Sequence, residues 1–299
     1  MKKINGDTVE GFLQKILYFF QCVLDWNSKN YDKEIDFKKI IFNTESIDTY
    51  YGSPARIFND VFWNSLDYEL ISKTIGNRLH FFDIGSGQGD YGLKFEENSK
   101  YFGSYSGLDI YKNKNWPIRF THHLDDALNS HKYFTSNTNF IVSQSALEHI
   151  KEDLETLRNV TDYFLSNKRQ FLQIHLIPAK SSLFLYLWHG WRQYSKSNLS
   201  VIYSKLCKLD NNIDVFAIPL GSKNCFKAHL INNTIPSILD RLILRFKFLK
   251  FLRYKIHDDN DRNIKAVKLD IENFRQIKSP IFWALIIKTK EVSLGSNFS

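Results

Sequence analysis

The sequence predicts an α/β protein built on a doubly wound, mostly parallel β-sheet. From residue 79 onward, short apolar runs alternate with segments of helical length, and a glycine-rich turn directly follows the first run. Both features are typical of strands connected through helices, with a ligand site where the strands end. The chain has 299 residues, of which 43% are hydrophobic and 24% charged, so it can bury a core of this kind.

The first 78 residues are predicted to form an N-terminal helical cap. Apolar side chains recur at helical spacing over residues 8–25. A second helix is expected from Pro54, a residue suited to a first helical turn, to about Ile75. We therefore divide the chain into a cap at residues 1–78 and a second domain at residues 79–299.

Apolar runs in the second domain are predicted to be its strands, at residues 79–84, 104–109, 118–122, 140–143, 171–177, 215–218 and 281–289. The last two runs look like a closing strand pair. About residues 222–278, between them, are too long for an ordinary loop, so we expect a helical insertion on the substrate side.

Residues 236–256 in this insertion mix apolar and basic side chains. Such a helix allows peripheral contact with an anionic membrane surface. Its apolar positions nearly encircle the helix, however, which favours burial against the domain.

Charge and cysteine content restrict the class of protein. The net charge is +8, but the basic residues are scattered, so a nucleic-acid partner is not indicated. The three cysteines, Cys22, Cys207 and Cys225, are far apart and predict reduced thiols in a cytoplasmic protein. The N-terminus lacks the apolar run of a signal peptide, and no stretch reaches the ~18 apolar residues of a membrane span. Nothing in the sequence specifies an oligomeric state.

The most informative stretch is Asp83-Ile84-Gly85-Ser86-Gly87-Gln88-Gly89. Glycines in such a turn let a ligand approach the main chain closely. The turn alone leaves the ligand open, because Gly87, Gly89 and Gly92 also satisfy the dinucleotide fingerprint. The carboxylate of Asp83 would repel a pyrophosphate, whereas it suits the ammonium group of a methionine moiety, directly or through water. The charge pattern therefore favours S-adenosyl-L-methionine over NAD.

Asp109 is the second marker of a nucleotide-type site. It ends the next predicted strand, twenty residues after Gly89. A carboxylate there can accept hydrogen bonds from both hydroxyls of a ribose. NAD-binding and adenosylmethionine-binding folds share this feature, so it supports the fold without choosing the cofactor.

These motifs resemble the class I S-adenosylmethionine-dependent methyltransferases. The resemblance covers about residues 79–178 and rests on Asp83-x-Gly85-x-Gly87-x-Gly89, on Gly107-Leu108-Asp109, and on the fourth-strand segment 139–150 with its Leu-Glu-His-Ile ending. One departure is Asn139, where many members carry Asp. The resemblance implies seven strands with the last one reversed, and adenine near the end of the third strand, around residues 123–126.

The resemblance also implies which residues bind the cofactor. They are Asp83, Gly85, Ser86, Gly87, Gly89, Asp109, Ile110, Asp125, Ser143 and Gln144. Some relatives hold a divalent metal with a Glu-x-x-Glu-His motif; here Ser145 occupies the first position, so no metal is expected. Residues 174–178 and 188–194 are more faintly similar to methyltransferases of bacterial surface-polysaccharide clusters.

Two histidines are candidates for the base that a hydroxyl acceptor would need. His149 follows the fourth strand at the ligand-binding edge, where it could equally cap or pack the next helix. His175 ends the fifth strand, where an isolated histidine among apolar residues is often a satisfied core group. Acceptor binding is assigned to Glu148, Trp191, Arg192 and Tyr194, which offer aromatic rings beside charged groups.

We therefore expect an O-methyltransferase acting on a small molecule such as a sugar, sugar phosphate or glycan. An RNA methyltransferase is the alternative suggested by the net charge, although no RNA-binding appendage and no Asn-Pro-Pro-Tyr-like motif is present. A non-catalytic adenosylmethionine-binding protein is the third hypothesis. An NAD oxidoreductase is disfavoured by Asp83.

Overall fold

A computed structural model of the chain shows one eight-stranded sheet with helices packed on both faces. It describes residues 3–24, 31–237, 259–274, 277–295 and 297–298. The strands are β1 (Asp36–Phe37), β2 (Leu79–Ile84), β3 (Phe102–Asp109), β4 (Thr121–Leu124), β5 (Phe140–Gln144), β6 (Leu172–Pro178), β7 (Ile213–Leu220) and β8 (Phe282–Thr289). Each of the strands predicted from the apolar runs overlaps one of these.

The strand order is β1-β7-β8-β6-β5-β2-β3-β4. Strand β8 is antiparallel to both of its neighbours, which confirms the expected reversal of the last strand. All other neighbouring strands are parallel. The expected count of seven strands is wrong, because β1 adds an eighth strand beside β7. A two-residue strand is too short to produce a recognisable apolar run.

The helices before β2 are α1 (Phe12–Leu24), α2 (Pro54–Asn64) and α3 (Tyr68–Ile75). The single helix predicted from Pro54 to Ile75 is therefore two helices. The break is stabilised at Asp67, whose carboxylate accepts a hydrogen bond of 2.9 Å from the Leu70 N–H and so begins α3. Between and beyond the strands lie α4 (Asp90–Asn98), α5 (Asp153–Ser166) and α6 (Lys196–Leu206).

The described part of the predicted insertion is helical. It contains α7 (Lys223–His229), a π-helical turn at Leu230–Thr234, and α8 (Asn260–Glu272). Helices α7 and α8 pack against each other and against α2. Residues 238–258 lie outside the described residues, so most of the predicted basic amphipathic helix at 236–256 does too. Among the helices that are described, none has the length and apolar character needed to cross a membrane.

The hydrophobic core lies on both faces of the sheet. One face packs against α2, α4 and α8, and the other packs against α5 and α6. The α2 side chains Ile57, Phe58, Val61 and Phe62 are fully buried and belong to the same cluster as residues of β2 and β5. Helices α2 and α3 thus share the core of the sheet, whereas the buried residues of α1 form a separate cluster with Leu183. The division into a cap and a second domain stays a prediction.

The sheet reverses its winding direction at β2, which lies between β5 on one side and β3 on the other. In open α/β sheets, ligands bind in the crevice outside the carboxyl ends of the strands at this point. The turns that follow β2, β3, β4 and β5 all meet at this edge.

Candidate functional site

A cavity of about 600 Å³ lies at this edge of the sheet. It is lined by the turns after β2, β3, β4 and β5 and by an N-terminal segment around Asp7. Five of its lining residues are acidic and one is a lysine: Asp7, Asp109, Asp125, Asp126 and Glu152 against Lys151. The described wall of the cavity therefore favours a cationic ligand.

The glycine turn forms one end of the cavity. Gly85, Gly87 and Gly89 all have positive φ angles, of 75°, 54° and 78°. Gly85 lines the cavity and packs so closely on the turn after β5 that a Cβ there would lie 2.4 Å from Cβ of Ala146. By contrast, a Cβ at Gly87 would meet no atom within 4 Å. The main chain at Gly87 is thus open to an approaching ligand.

Asp109 is held by the main chain on both of its carboxylate oxygens. The Gly87 N–H donates to Oδ2 at 2.9 Å, and the Tyr111 N–H donates to Oδ1 at 3.1 Å. Since each oxygen can accept a second hydrogen bond, the carboxylate keeps capacity for the two hydroxyls of a ribose. Ile110 also lines the cavity and has an exposed side chain. Both residues stand where the sequence predicts cofactor ligands.

Asp125, after β4, lines the same cavity. Its carboxylate accepts hydrogen bonds from the Asn129 amide, at 2.9 Å, and from the Tyr133 hydroxyl, at 2.7 Å. These two hydrogen bonds hold the pKa of Asp125 below its usual range. The ionised carboxylate is thus fixed in place beside the position expected for adenine.

Asp83 lies behind the glycine turn and is not among the residues that line the cavity. It is 3% exposed, and Tyr105 donates its hydroxyl to Oδ2 at 2.6 Å. Burial raises the pKa of Asp83 to about 7. Direct contact between Asp83 and the ammonium group of a ligand would need an exposed carboxylate oxygen. Contact through a water molecule therefore stays the prediction for Asp83.

Three other residues were predicted to bind the cofactor, namely Ser86, Gly89 and Gln144. The Ser86 hydroxyl is buried and has no hydrogen-bond partner within the described ranges, and Gly89 packs against Trp116. Gln144 accepts a hydrogen bond from the Trp63 indole at 2.9 Å and donates to the Tyr91 hydroxyl. Its amide thus joins the end of β5 to α2 and α4, and Gln144 is not among the residues that line the cavity, so its role as a cofactor ligand stays a prediction.

Ser143 and His175 form a buried pair on adjacent strands, 2.8 Å apart. Both side chains are fully buried, and the second imidazole nitrogen of His175 lies 3.3 Å from the Gln173 side-chain oxygen. Burial lowers the pKa of His175 to about 3. The assignments of Ser143 as a cofactor ligand and of His175 as a base are therefore wrong, because neither side chain lines the cavity.

Of the residues assigned to the acceptor, Trp191 lines the cavity, whereas Arg192 and Tyr194 do not. The Arg192 guanidinium pairs with the Asp153 carboxylate, and the Tyr194 hydroxyl donates to the same carboxylate at 2.7 Å. These contacts join the aromatic segment to the start of α5. The prediction that Arg192 and Tyr194 bind substrate is therefore wrong, because both side chains contact Asp153 and neither lines the cavity.

Four side chains meet beside the turn after β5: Asp7 and His149, which line the cavity, and Glu148 and His189 next to them, here called the His149 cluster. His149 Nδ1 lies 2.7 Å from Asp7 Oδ2, and His189 Nδ1 lies 3.8 Å from Asp7 Oδ1. On the other side, Glu148 Oε1 lies 3.6 Å from His189 Nε2 and 4.0 Å from His149 Nε2. The two imidazole rings are thus placed between two carboxylates.

Glu148 is the buried member of the His149 cluster. Its side chain is 0% exposed, and neither carboxylate oxygen has a hydrogen-bond partner in the part of the chain that the structure describes. The nearby carboxylate raises the pKa of His189. Burying an ionised group is costly unless it is paired, and His189, 3.6 Å away with a raised pKa, supplies the positive charge in its protonated form.

The main chain fixes the segments that carry the His149 cluster. Gly6 N–H donates to the Gly190 carbonyl at 2.6 Å, Gly190 N–H to Asp7 Oδ1 at 3.0 Å, and Trp191 N–H to the Glu148 carbonyl at 2.6 Å. Gly190 has a φ of +66°, and a Cβ there would lie 2.4 Å from the Glu148 carbonyl oxygen. A glycine is therefore required for this close approach.

Two members of this cluster were missed in the sequence analysis. Asp7 contacts His149 across 142 residues of sequence, and no local pattern marks such a contact. His189 lies in the aromatic stretch that was singled out, beside Trp188 and Trp191. The signal that could have found it was a histidine two residues before Trp191, which was assigned to the acceptor.

No family model matches the sequence, and no curated protein sequence matches it. Solved structures are similar at low identity. The plantazolicin methyltransferase BamL, solved with a triazolic desmethylPZN analog and SAH, is 15% identical, and the match covers 81% of this chain and 88% of that one with a TM-score of 0.45. A SAM dependent methyltransferase from Archaeoglobus fulgidus is 16% identical over 81% of this chain and 97% of its own, also with a TM-score of 0.45.

The (4+2)-cyclase SpnF is 10% identical over 98% of this chain and 99% of its own, with a TM-score of 0.44. At these TM-scores the likeness carries no argument about function. The proposed function therefore rests on the residues that line the cavity.

Proposed function

We propose that the chain is an S-adenosyl-L-methionine-dependent methyltransferase whose cofactor occupies the cavity between the glycine turn and the His149 cluster. One observation carries the proposal: the cavity is lined by Gly85 of the glycine turn, by five acidic residues and by one lysine. Adenosylmethionine carries a sulfonium and an ammonium group, which such a wall attracts. The pyrophosphate of NAD would be repelled by the same wall.

The lining residues support one orientation of this cofactor. Asp109 would accept the ribose hydroxyls, with the adenine beside Ile110 and Asp125. The methionine end would then lie along Gly85 and Ala146. This places the sulfonium methyl toward His149, at the end of the cavity where an acceptor can enter.

The transfer is an in-line displacement. An acceptor oxygen bonds to the methyl carbon as the carbon–sulfur bond breaks, and the electron pair of that bond stays on sulfur to give S-adenosylhomocysteine. Alignment of the two groups supplies much of the rate enhancement in such a step. The acceptor hydroxyl must also lose its proton, and His149, oriented by Asp7 at 2.7 Å, is our hypothesis for the base.

The cavity favours a neutral acceptor that carries hydroxyl groups. Its acidic wall opposes a sugar phosphate, and Arg192, which was expected to bind such an anion, is committed to Asp153. Trp191 offers a flat aromatic face at the cavity, suited to packing against the C–H face of a sugar ring. A neutral sugar or glycan is therefore the acceptor we propose.

Ligand-induced stabilisation tests the cofactor. S-adenosylhomocysteine at 100 times its dissociation constant should stabilise the native state by about 2.7 kcal/mol and raise the melting temperature. NAD at the same concentration should leave the melting temperature unchanged. A rise with NAD and none with S-adenosylhomocysteine would refute the proposal.

Transfer of a labelled methyl group from S-adenosylmethionine then tests catalysis. A panel of neutral glycans and free sugars should contain an acceptor that becomes labelled, while the matching sugar phosphates should react more weakly. If adenosylhomocysteine binds but no hydroxyl acceptor is labelled, the chain is a non-catalytic cofactor-binding protein. Labelling of RNA instead would favour the nucleic-acid alternative.

A further inference from the structure

We propose that α1 docks the protein on an anionic membrane surface through an apolar stripe of exposed side chains. This α1 stripe consists of Phe12, Leu13, Phe20, Val23 and Leu24, which are between 40% and 81% exposed. Because an α-helix turns by about 100° per residue, these five side chains fall within about 120° of its circumference. An apolar face of that width normally faces the core of a protein, whereas the α1 stripe faces solvent.

The opposite face of α1 fixes the helix on the protein. Tyr18 is fully buried, and its hydroxyl donates to the His189 carbonyl at 2.6 Å. The Gln21 side chain accepts a hydrogen bond of 2.8 Å from the Ile4 N–H and donates to the Ile4 and Trp191 carbonyls at 3.0 and 3.1 Å. These contacts hold the helix in one orientation, so the apolar stripe is directed outward.

Two aromatic side chains of the segment after β6 extend the apolar surface beside α1. Phe184 is 57% exposed, and its ring lies 5.8 Å from the ring of Phe19. Trp188 is 36% exposed, and its indole N–H donates to the Lys15 carbonyl at 3.3 Å. Phenylalanine, leucine and tryptophan are the side chains with which interfacial helices enter the headgroup region of a bilayer. The surface around α1 therefore has the composition of a membrane-binding face.

The charges beside the α1 stripe favour an anionic surface. Helix α1 contains one lysine and no acidic residue. The ammonium group of that lysine, Lys15, lies 4.9 Å from the centre of the Trp188 ring, on one side of the stripe. Lys3 is exposed on the other side, next to the main chain that hydrogen-bonds Gln21. Lysines that flank an apolar helix face attract anionic headgroups, and the net charge of +8 acts in the same direction.

A second copy of the chain fits the stripe less well than a bilayer does. In a twofold dimer the same patch of both copies meets itself, so the lysines beside one stripe would approach the other copy's stripe. Because α1 carries no acidic residue, the other copy's helix would offer these lysines no opposite charge. An anionic bilayer offers both an apolar interior and the opposite charge, so it is the occupant that we infer.

The docked helix lies next to the cavity, and the consequence for the acceptor rests on the proposed function. Asp7, which lines the cavity, lies five residues before the start of α1. Tyr18 of α1 contacts His189 of the His149 cluster. A bilayer against α1 would therefore hold this part of the cavity near the lipid headgroups. We expect the neutral glycan acceptor to be the headgroup of a glycolipid, presented from the membrane.

The experiment is co-sedimentation of the full chain with vesicles of phosphatidylcholine and phosphatidylglycerol in equal parts. We expect the parent to bind these vesicles and to bind vesicles of phosphatidylcholine alone more weakly. The double variant Phe12→Gln/Phe20→Gln should bind the mixed vesicles at least about tenfold more weakly, because it removes two apolar side chains from the stripe. Both side chains are exposed, so this variant is expected to fold.

The matched control is the double variant Ile41→Gln/Ile118→Gln. It also removes two exposed apolar side chains, but both lie outside α1. It should bind the mixed vesicles like the parent. Equal losses in the two double variants would show that general surface hydrophobicity, and not the α1 stripe, binds the vesicles, and would contradict the proposal.

Three further results would overturn the proposal. One is a parent protein that does not bind the mixed vesicles, as expected if another segment of the same chain covers the stripe. Another is vesicle binding that is unchanged in Phe12→Gln/Phe20→Gln. The third is a dimer of the parent in sedimentation velocity that this variant abolishes, because a second copy would then be the occupant.

Binding of S-adenosylhomocysteine is measured on the same samples. If it is bound and the vesicles are not, membrane docking fails alone; if the vesicles are bound and adenosylhomocysteine is not, the proposed function fails alone. An acceptor from the glycan panel, supplied free and as a lipid conjugate in vesicles, then tests the consequence for the substrate. Phe12→Gln/Phe20→Gln should lower transfer to the conjugate only, and an equal loss with the free glycan would contradict presentation from the membrane.

Discussion

The two ends of the cavity are built in different ways. At the glycine turn, the groups that would hold the cofactor are close in sequence, and the hydrogen bond from Gly87 to Asp109 spans 22 residues. At the His149 cluster, the contact between Asp7 and His149 spans 142 residues. The first end follows from a strand–turn–helix unit and the strand beside it. The second end exists only once three distant segments have packed together.

This difference determines which substitutions the glycine turn and the His149 cluster can each tolerate. The glycine turn depends on backbone conformation and on one carboxylate. The His149 cluster depends on close approach of main chains, with Gly190 in contact with the Glu148 carbonyl. Changes at the first end should alter cofactor affinity, and changes at the second should alter turnover or folding.

The largest expected effect is on turnover at the His149 cluster. His149→Ala should lower turnover with a true acceptor by about 10²–10⁴-fold while the dissociation constant of S-adenosylhomocysteine changes little. Single-turnover kinetics with saturating cofactor measures it.

The matched control for His149 is His80→Gln, because His80 lies near the amino end of β2, away from the cavity, and contacts Ser104. It should keep the turnover of the parent. Equal turnover in His149→Ala and the parent would contradict a role of this histidine in the reaction.

The next effect is on folding, where the two ends can be compared through their glycines. Gly190→Ala should lower the free energy of unfolding by about 3 kcal/mol, because it adds a clash with a carbonyl to an unfavourable φ angle. Gly87→Ala has the unfavourable φ but open space around the new Cβ, so the loss should be about 1 kcal/mol. Urea unfolding measures both. Equal losses would mean that close packing at Gly190 does not contribute.

A smaller effect is expected on cofactor affinity. Asp109→Ala should weaken S-adenosylhomocysteine binding by about 2 kcal/mol, which is about thirtyfold, because charge-assisted hydrogen bonds to the ribose are lost. Asp109→Asn, which keeps the shape, should fall between this variant and the parent. Isothermal titration calorimetry measures the constants, with Glu155→Gln as the unaffected control. If Asp109→Ala binds as tightly as the parent, the proposed placement of the ribose is wrong.

The pH dependence of stability distinguishes the buried core from the His149 cluster. Burial lowers the pKa of His175 to about 3, so below the unfolded value of about 6.5 the unfolded chain binds a proton that the folded chain does not. The stability contribution of His175 is therefore complete above pH 6.5 and is lost toward pH 3, by at most about 1.4 kcal/mol per pH unit.

His189 should show the opposite sign. Its pKa is raised by Glu148, so its contribution is complete below the unfolded pKa and is lost as the pH rises through the folded value. Urea unfolding from pH 4 to 8, with chelator present, measures both signs. His175→Gln should remove the acid-side loss, and His189→Gln the loss on raising the pH. Unchanged pH profiles in both variants would contradict the assignment.

Local sequence patterns were sufficient for the sheet and the glycine turn. Short apolar runs, separated by helical segments, predicted strands β2 to β8. The stretch from Asp83 to Gly89 predicted the glycine turn at the cavity. The same patterns failed for β1, whose two residues form a strand because β7 offers a free edge. They also failed at Arg192 and Tyr194. A guanidinium beside an aromatic ring suggested substrate binding, but both side chains contact the Asp153 carboxylate instead.

By itself, the sequence determined the strand–turn–helix unit and the two acidic positions Asp83 and Asp109, because these depend on backbone preferences and polarity over a few residues. The reversal of the last strand was implied by the resemblance to the methyltransferase family and by no local pattern. The tertiary structure decided which side chains face the cavity. It buried Asp83 and His175, left Asp109 half-buried and His149 exposed at the cavity, and brought Asp7 to His149 and His189 to Glu148. The physical reason is that a side chain's exposure and its charged neighbours depend on the packing of distant segments, which no local pattern encodes.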